Sequence, residues 1–322
     1  MKTKFAIGCL VQWYEVEIIK EYVESLKDAY NAYDGEILVD YVVCINQDLE
    51  KCISKKQLIE CEKKIMSIIV AQPFSVKCKV RVVKELTTVA DYRRQFNENY
   101  CDLADVLIWG ESDALLPRQM FSILDNLHKM SLNNNNPKYL AFFGTCKMWD
   151  NGWKQLEHPD FENKPFIDGD TENWWSLRYD MTKKEMDTIN DKTEELDVQV
   201  VSPHKFNGCG LVISSEVIKS GVNIPKSVFF IHEDSAFMQV TNKVLGNIPQ
   251  YVIKNILLVH NRKHKNKRKY IKGEDHINDK DPGGKRLTHG WYMKANKMCE
   301  QNYINLFNPN YKSFKWKDVW KQ

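Results

Sequence analysis

The stretch DVLIWGESDALLP, residues 105–117, begins as a buried strand and leads directly into a pair of acids. Its apolar run Val106–Trp109 stops at Gly110, and Glu111 and Asp113 follow with one residue between them. A short apolar run that ends at a glycine is typical of a strand buried on both faces. The carboxyl ends of such strands are where α/β proteins bind their ligands. The stretch therefore predicts a functional site built on two carboxylates.

Length and composition indicate a globular protein with a large core. The chain has 322 residues, 43% apolar and 11% aromatic, which is enough for one large domain or two smaller ones. This composition excludes a disordered chain. The formal net charge of +3 is too small to identify a class of partner, so only the local distribution of charge is informative.

Cysteine usage and the N-terminal segment bear on the compartment. The nine cysteines are scattered without a C-x-x-C pair, which predicts free thiols, a reducing compartment and no zinc cluster. The segment MKTKFAIGCLVQWYEVE is interpreted as a first strand, because its apolar run breaks at Gln12 and no cleavage site follows. Apolar runs stay shorter than the roughly 18 residues of a membrane span. We therefore expect a cytoplasmic protein without a membrane partner.

The first third of the chain alternates between strand and helix patterns. Strands are predicted at 4–11, 36–46, 76–85 and 105–109, and helices at 15–30, 51–69 and 89–104. This alternation predicts an α/β fold with a mostly parallel central sheet.

Later segments add further strands and a change of composition. They are a strand at 139–149, a glycine turn at 206–210, a helix capped by Ser214 or Ser215 and stopped by Gly221, an apolar strand running into His232, and a strand ending at His260. Directly after His260 the sequence becomes strongly basic, NRKHKNKRKYIKGED. This shift predicts a separate C-terminal segment.

Glu111 and Asp113 have the chemistry of a divalent metal site. Carboxylate oxygens on a turn can converge on one cation, and Mg²⁺ or Mn²⁺ complete their shells with substrate phosphates. Such a cation neutralises a diphosphate leaving group. Because the chain has 43 acidic residues, similar triplets also arise by chance, and the buried strand before this one is what favours a site.

The order of the short motifs resembles the metal-dependent glycosyltransferases of the GT-A fold, which use nucleotide-activated sugars. The motifs that carry the resemblance are YRRQFN (92–97), ESD (111–113), FNGCG (206–210), HEDSAF (232–237) and VH (259–260). The resemblance covers residues 4–260, and the order and spacing of the motifs carry its weight. It implies a GT-A-like α/β fold, with a single large Rossmann-type domain, a mostly parallel central sheet and a basic C-terminal extension.

The resemblance also implies a division of the chain. The glycosyltransferase domain is expected at 1–260, with a donor-nucleotide half at 1–130 and an acceptor half at 131–260. A basic, aromatic extension is expected at 261–322.

The resemblance further implies roles for individual residues. Asp113 is expected to bind Mn²⁺ or Mg²⁺ directly, Glu111 to contact the metal or the ribose, and His260 to complete the metal site. Either Arg93 or Arg94 would pair with the diphosphate of the donor. The full set of implied donor-binding residues is Gln12, Trp13, Arg93, Arg94, Glu111, Ser112, Asn207, Gly208 and Gly210. The donor is expected to be a UDP-sugar, with a hexosyl or pentosyl group to transfer.

Two departures from the family pattern bear on the nucleotide. The acidic motif is Glu-Ser-Asp and not Asp-x-Asp, and the second strand ends CINQD, where many relatives have an aspartate that binds the base. The identity of the base therefore stays open.

Several of these residues also have a purely structural interpretation. The two arginines fit the solvated face of a helix, and His260 fits an ordinary strand end. Gly208 and Gly210 fit a turn, although glycines there also let the backbone approach a sugar closely. The acids that follow the apolar run at 227–231 are harder to explain in this way, because a charged side chain next to the buried core needs a partner or a function.

The reaction implied by the resemblance is glycosyl transfer to a hydroxyl group. An inverting enzyme needs a general base within reach of that hydroxyl. Asp234 is the predicted base, with Glu233 as the second choice. The sequence leaves inverting and retaining stereochemistry open, and Asp234 also fits a role in binding donor or acceptor hydroxyls.

The basic segment after His260 bears on the acceptor. The predicted acceptor or phosphate contacts are Trp174, Trp175, Arg262, Lys263, Lys265, Lys267, Arg268 and Lys269. The segment fits a solvated surface, a lid over the donor or a groove for nucleic acid. The tail KSFKWKDVWKQ at 312–322 suits base stacking or the docking of an end helix.

With the expected compartment, this pattern is similar to bacteriophage glycosyltransferases that add sugars to hydroxymethylated cytosine in DNA. DNA is accordingly the predicted acceptor, and the compartment would then be the host cytoplasm. A glycan or protein glycosyltransferase, and a non-catalytic nucleic-acid-binding protein on the same fold, are the alternatives.

Replacing the basic residues tests the three interpretations of this segment. If Lys263, Lys265, Lys267, Arg268 and Lys269 contact DNA phosphates, changing all five to Gln should weaken DNA binding. Each lost contact should flatten the log-log salt dependence by about 0.9 units, as measured by electrophoretic retardation across a salt series. A lid over the donor predicts instead that donor hydrolysis falls, and a solvated surface predicts that neither measurement changes.

Overall fold

The central element of the fold is one twisted sheet that collects strands from most of the chain. The computed structural model describes residues 2–45, 54–72, 77–145, 156–162, 181–201, 208–260 and 290–321. Within these ranges the strands are β1 (Phe5–Gln12), β2 (Ile37–Cys44), β3 (Cys78–Val83), β4 (Val106–Trp109), β5 (Ala114–Leu115), β6 (Leu140–Thr145), β7 (Val198–Val201), β8 (Val212–Ser214) and β9 (Gln250–His260). The sheet order is β3-β2-β1-β4-β8-β6-β9-β5, and β7 pairs with β9.

Most strands of the sheet run in one direction. β3, β2, β1 and β4 pair in parallel, as do β6 and β9. β8 lies antiparallel between β4 and β6, and β5 and β7 are antiparallel to β9. The predicted α/β class with a mostly parallel central sheet is therefore confirmed. The predicted division of the chain at residues 130 and 260 stays a prediction.

Helices cover both faces of the sheet. In the described ranges they are α1 (Ile19–Asn31), α2 (Lys55–Val70), α3 (Val89–Tyr100), α4 (Met120–Asn133), α5 (Lys183–Asn190), α6 (Ser215–Lys219), α7 (Glu233–Leu245), α8 (Gly290–Ile304) and α9 (Trp316–Val319), with 3₁₀ turns at Trp13–Glu15 and Pro159–Phe161. None of the helices in this part of the chain has the length and apolar character needed to cross a membrane.

The alternation of side chains along β1 builds a separate core on each face of the sheet. Phe5 and Ile7 point into a core that also contains Leu26 of α1 and Phe121 of α4. Ala6, between them, points into the opposite core, which is formed with α3, α6 and α7. Burial on both faces explains why β1 reads as a continuous apolar run.

A bulge shifts the register between β6 and β9 before β9 reaches the site. Phe143 of β6 lies opposite Ile253 of β9, but the next residue, Gly144, lies opposite Leu257, so that β9 contains the extra residues. Gly144 is required there, because a Cβ would lie 2.2 Å from the carbonyl oxygen of Lys254. The strand then continues to its pairing with β5, where His260 lies opposite Ala114.

The apolar run before His232 is not a strand, and this part of the prediction was wrong. Residues 227–232 form a turn and bends, and α7 begins at Glu233. The run is apolar because the C-terminal residues cover it. Phe229 and Val319 share a buried cluster with Ala295 and Cys299 of α8.

Candidate functional site

A tight turn between β4 and β5 presents the two carboxylates. Gly110 N donates to the carbonyl oxygen of Gly8 at 2.7 Å, and Ala114 N donates to that of Glu111 at 3.0 Å. A Cβ at Gly110 would lie 2.2 Å from the hydroxyl of Tyr22, so only glycine lets the chain turn this close to β1. The turn therefore holds Glu111 and Asp113 at the carboxyl end of β4.

Pairing of β5 with β9 brings a histidine to this turn. His260 Nε2 lies 3.0 Å from Glu111 Oε2 and 3.4 Å from Asp113 Oδ1. The Cys209 sulfur lies within 4.8 Å of the ligand atoms of Glu111 and His260. Two carboxylates and an imidazole nitrogen are a donor set that suits Mn²⁺. The residues predicted to bind metal are thus brought together, and they fit a divalent cation.

The electrostatics at Glu111 favour its charged form. Burial raises the pKa of this carboxyl, but the charge of His260, the hydrogen bond from it and the charge of Arg93 lower the pKa to about 2. Glu111 is therefore a carboxylate at neutral pH, as a metal ligand must be.

Arg93 lies buried at the centre of the acidic residues, with 2% of its surface exposed. One guanidinium nitrogen donates to Glu111 at 2.6 Å and to the carbonyl oxygen of Gly208 at 3.0 Å, and another donates to Glu233. Burial opposes its charge, but Glu233 and Glu111 raise the pKa of Arg93 above its usual value. The ring of Trp109 lies under the guanidinium, 4.8 Å away. The solvated-face interpretation of Arg93 was therefore wrong.

The start of α7 contributes the remaining two acids. Glu233 is buried, and its burial and the charge of Asp234 raise the pKa of Glu233 to about 7, against the effect of Arg93. Asp234 is half-buried and accepts hydrogen bonds from Gly208 N at 3.1 Å and Ser235 N at 2.6 Å. The structure thus brings the predicted acid pair to the glycine turn and to Arg93.

Arg94 makes a different set of contacts. Its guanidinium donates to the carbonyl oxygens of Ile224, Pro225 and Val228 and to the carboxylate of Asp91. It therefore fixes the chain leading towards α7, and its predicted contact with the donor stays a prediction.

The other predicted donor residues occupy several environments. Gln12 ends β1 and donates to the carbonyl oxygen of Thr87 at 3.4 Å, whereas Trp13 is buried in the core. Ser112 is buried in the acidic turn. Gly210 has φ +77°, and a Cβ at Gly208 would lie 2.0 Å from an Arg93 nitrogen, so both glycines are required by the structure. Their contact with the donor stays a prediction.

Some predicted residues lie outside the described part of the chain. They are Asn207, Trp174, Trp175, Arg262, Lys263, Lys265, Lys267, Arg268 and Lys269.

Two residues of the site, Cys209 and Trp109, were not predicted from the sequence. Cys209 adds a sulfur beside Glu111 and His260. Trp109 packs under Arg93, and its indole N–H donates to Asn97 Oδ1 at 2.9 Å. The position of Cys209 between two glycines of the FNGCG turn was the available signal for it.

Comparison with known proteins gives distant structural similarities only. No protein-family model and no curated protein matches the chain. Residues 1–349 of S. aureus TarS, also solved with UDP-GlcNAc, are similar with a TM-score of 0.46 and 12% identity over 98% of this chain and 77% of that chain. Glucosyl-3-phosphoglycerate synthase from Mycobacterium tuberculosis, solved with Mg²⁺ and UDP, is similar with a TM-score of 0.42 and 10% identity over 92% of this chain and 79% of that chain. The galactosyltransferase LgtC is similar with a TM-score of 0.34 and 10% identity over 77% of this chain and 72% of that chain. Similarities of this size assign no residue a role.

Replacing Gly208 tests whether the glycine turn positions Arg93. In Gly208→Ala the new Cβ would lie 2.0 Å from Nη1, so Arg93 must leave at least one of its acidic partners. We expect a lower melting temperature and at least a ten-fold weaker calorimetric affinity for UDP with Mn²⁺, about 1.4 kcal/mol. Gly221→Ala is the control. Its φ of +86° makes alanine strained there, so its melting temperature should also fall, but a Cβ meets nothing within 4 Å and UDP affinity should stay at the parental value. Unchanged UDP affinity in Gly208→Ala would contradict the expectation.

Proposed function

We propose that the protein is a metal-dependent glycosyltransferase that moves a sugar from a nucleotide-sugar donor to a hydroxyl acceptor. The observation that carries the proposal is the meeting of Glu111, Asp113 and His260 at the carboxyl end of β4, beside Arg93 and the acid pair of α7. A metal site next to a buried arginine suits a diphosphate, and a nearby carboxylate suits activation of a hydroxyl.

The metal ligands in this proposal are Glu111, Asp113 and His260. A bound Mn²⁺ or Mg²⁺ supplies Lewis acidity that stabilises the charge on the departing nucleoside diphosphate. The protein's contribution is to hold two ligands on the turn before β5 and the third at the end of β9, which pairs with β5. Arg93 fixes Glu111 from the opposite side, so that the carboxylate keeps its orientation.

The acid pair divides into two roles. Glu233 is tied to Arg93, which holds its carboxyl in place. Asp234 projects from the first turn of α7 and is oriented by backbone N–H groups of Gly208 and Ser235. Asp234 is therefore the residue proposed to take the proton of the acceptor hydroxyl in an inverting reaction.

The donor proposed is a UDP-sugar, bound with its base near the end of β1 and its diphosphate near the metal ligands. For the acceptor, the described residues favour no molecule beyond one with a free hydroxyl group. Hydroxymethylated cytosine in DNA rests on the basic segment at 262–269 and the expected compartment, and a glycan or protein acceptor is the alternative.

Removal of Asp113 tests the metal site. We expect Asp113→Ala to weaken Mn²⁺ binding, measured by titration calorimetry, by at least about ten-fold, and to remove nearly all transfer. Asp125→Ala is a matched control, since both acids are 3% exposed and Asp125 is bound by Lys129 and by Thr3, which precedes β1 at the end of the sheet opposite the acidic turn. The control should lose stability without losing metal affinity. Parental Mn²⁺ binding in Asp113→Ala would end the metal-site proposal.

Substitution of Asp234 tests the base. Asp234→Asn keeps the shape of the side chain and removes the proton acceptor, so kcat should fall by about 10²-fold to 10⁴-fold while donor affinity stays within a few-fold. Turnover and donor calorimetry on the same preparation separate the two effects. Asp187→Asn, a half-buried acid of α5 that pairs with Lys183, is the control and should keep its turnover. Loss of donor binding in Asp234→Asn would instead make Asp234 a sugar ligand.

A further inference from the structure

His232 has an unusual backbone conformation immediately before the acid pair. Its φ of 68° and ψ of 19° lie in the left-handed region, where only Asn135 joins it among the non-glycine residues that the structure describes. Residues with a Cβ are uncommon in this region unless the surroundings hold them there. The side chain of His232 does not cap α7, so local hydrogen bonding at the helix start does not explain the conformation.

The contacts that hold His232 come from α8. Its Nε2 lies 3.1 Å from Asn296 Oδ1, and its ring stacks on Tyr303 with centroids 6.0 Å apart and planes 8° from parallel. Asn296 and Tyr303 are two turns apart and so share one face of the helix. That face holds the imidazole from two sides.

The residues before His232 are fixed by the same C-terminal region. Phe229 packs edge-on against Trp316, with ring centroids 5.4 Å apart. Asn302 is fully buried and donates to the carbonyl oxygens of Ser227 and Phe314, at 2.7 and 2.9 Å. The chain therefore enters the turn at His232 along a path set by α8 and the residues after it.

We propose that α8 positions the acid pair: Asn296 and Tyr303 hold His232 in its left-handed conformation, and this turn directs Glu233 to Arg93 and Asp234 to Gly208. The inference rests on the proposed function, because the acid pair matters only if it acts on the acceptor. His232, Asn296 and Tyr303 are positioning residues, since they act through the residues at 233 and 234.

Two substitutions of His232 separate backbone geometry from side-chain chemistry. Glycine adopts a positive φ without the penalty of a Cβ, whereas alanine does not. His232→Ala should therefore lower kcat by about 10²-fold, as expected for a displaced catalytic group, with calorimetric UDP affinity in Mn²⁺ within a few-fold of the parent. His232→Gly should be about ten-fold more active than His232→Ala. Asn296→Ala should change kcat in the same direction as His232→Ala.

The exposed neighbour on α8 provides the control, and Lys297→Ala should match the parent in every measurement. Equal, low activity in the Gly and Ala variants would show that removing the backbone penalty does not restore the acid pair, and would overturn the proposal. Parental activity in all variants would overturn it as well.

A readout that does not depend on catalysis distinguishes failure of this inference from failure of the proposed function. Hydrogen exchange of the amides at 235–237, measured by mass spectrometry, should be faster in His232→Ala and in Asn296→Ala than in the parent. Exchange in His232→Gly should be slower than in His232→Ala. If the parent transfers no sugar but shows this exchange pattern, the function is wrong and the positioning contact stands. If exchange is the same in all variants, the positioning contact is wrong.

Discussion

The buried guanidinium of Arg93 is the constraint on which the rest of the site depends. A charged group with 2% exposure is tolerated only if its donors are bonded and its charge is balanced. Glu111 comes from the turn after β4, Glu233 from the start of α7, and the Gly208 carbonyl from the glycine turn. Three distant segments must therefore meet on one side chain of α3. Loss of any one of these partners would leave part of a buried charge unpaired, which makes the arrangement cooperative.

The balance of charge around Arg93 explains why this region suits a cation. Four acids, Glu111, Asp113, Glu233 and Asp234, lie around one permanently charged arginine and one histidine. Burial and the negative charge of the neighbouring acids together raise the pKa of Glu233. The imidazole of His260 lies close to carboxylate oxygens of both Glu111 and Asp113. A divalent cation reduces the repulsion among the acids and also adds positive charge for a diphosphate.

Local patterns determined how much of this could be predicted from the sequence. The strand and helix alternation between 4 and 109, the acidic turn and the strand ending at His260 each follow from neighbouring residues, and the structure has them. Strand β5 consists only of Ala114 and Leu115, and its partner β9 lies far along the chain. Two residues are too few to show a strand pattern, so β5 was not predicted. The apolar run at 227–231 was misassigned for a related reason. Its side chains are buried under α8 and not in a sheet, and apolar periodicity does not reveal which element covers a segment.

The C-terminal region packs against the segment that leads into α7. Residues 290–321 are the described part of the predicted extension at 261–322, and they share a buried cluster with Phe229. Trp316, part of the aromatic tail, packs on Phe229 and Phe230, so docking of an end helix accounts for this side chain without base stacking. A segment held by buried aromatic contacts and by the fully buried Asn302 contributes to the stability of its neighbours. The acids of α7 are therefore held from one side by Arg93 of α3 and, in the proposed arrangement, from the other side by α8 through His232.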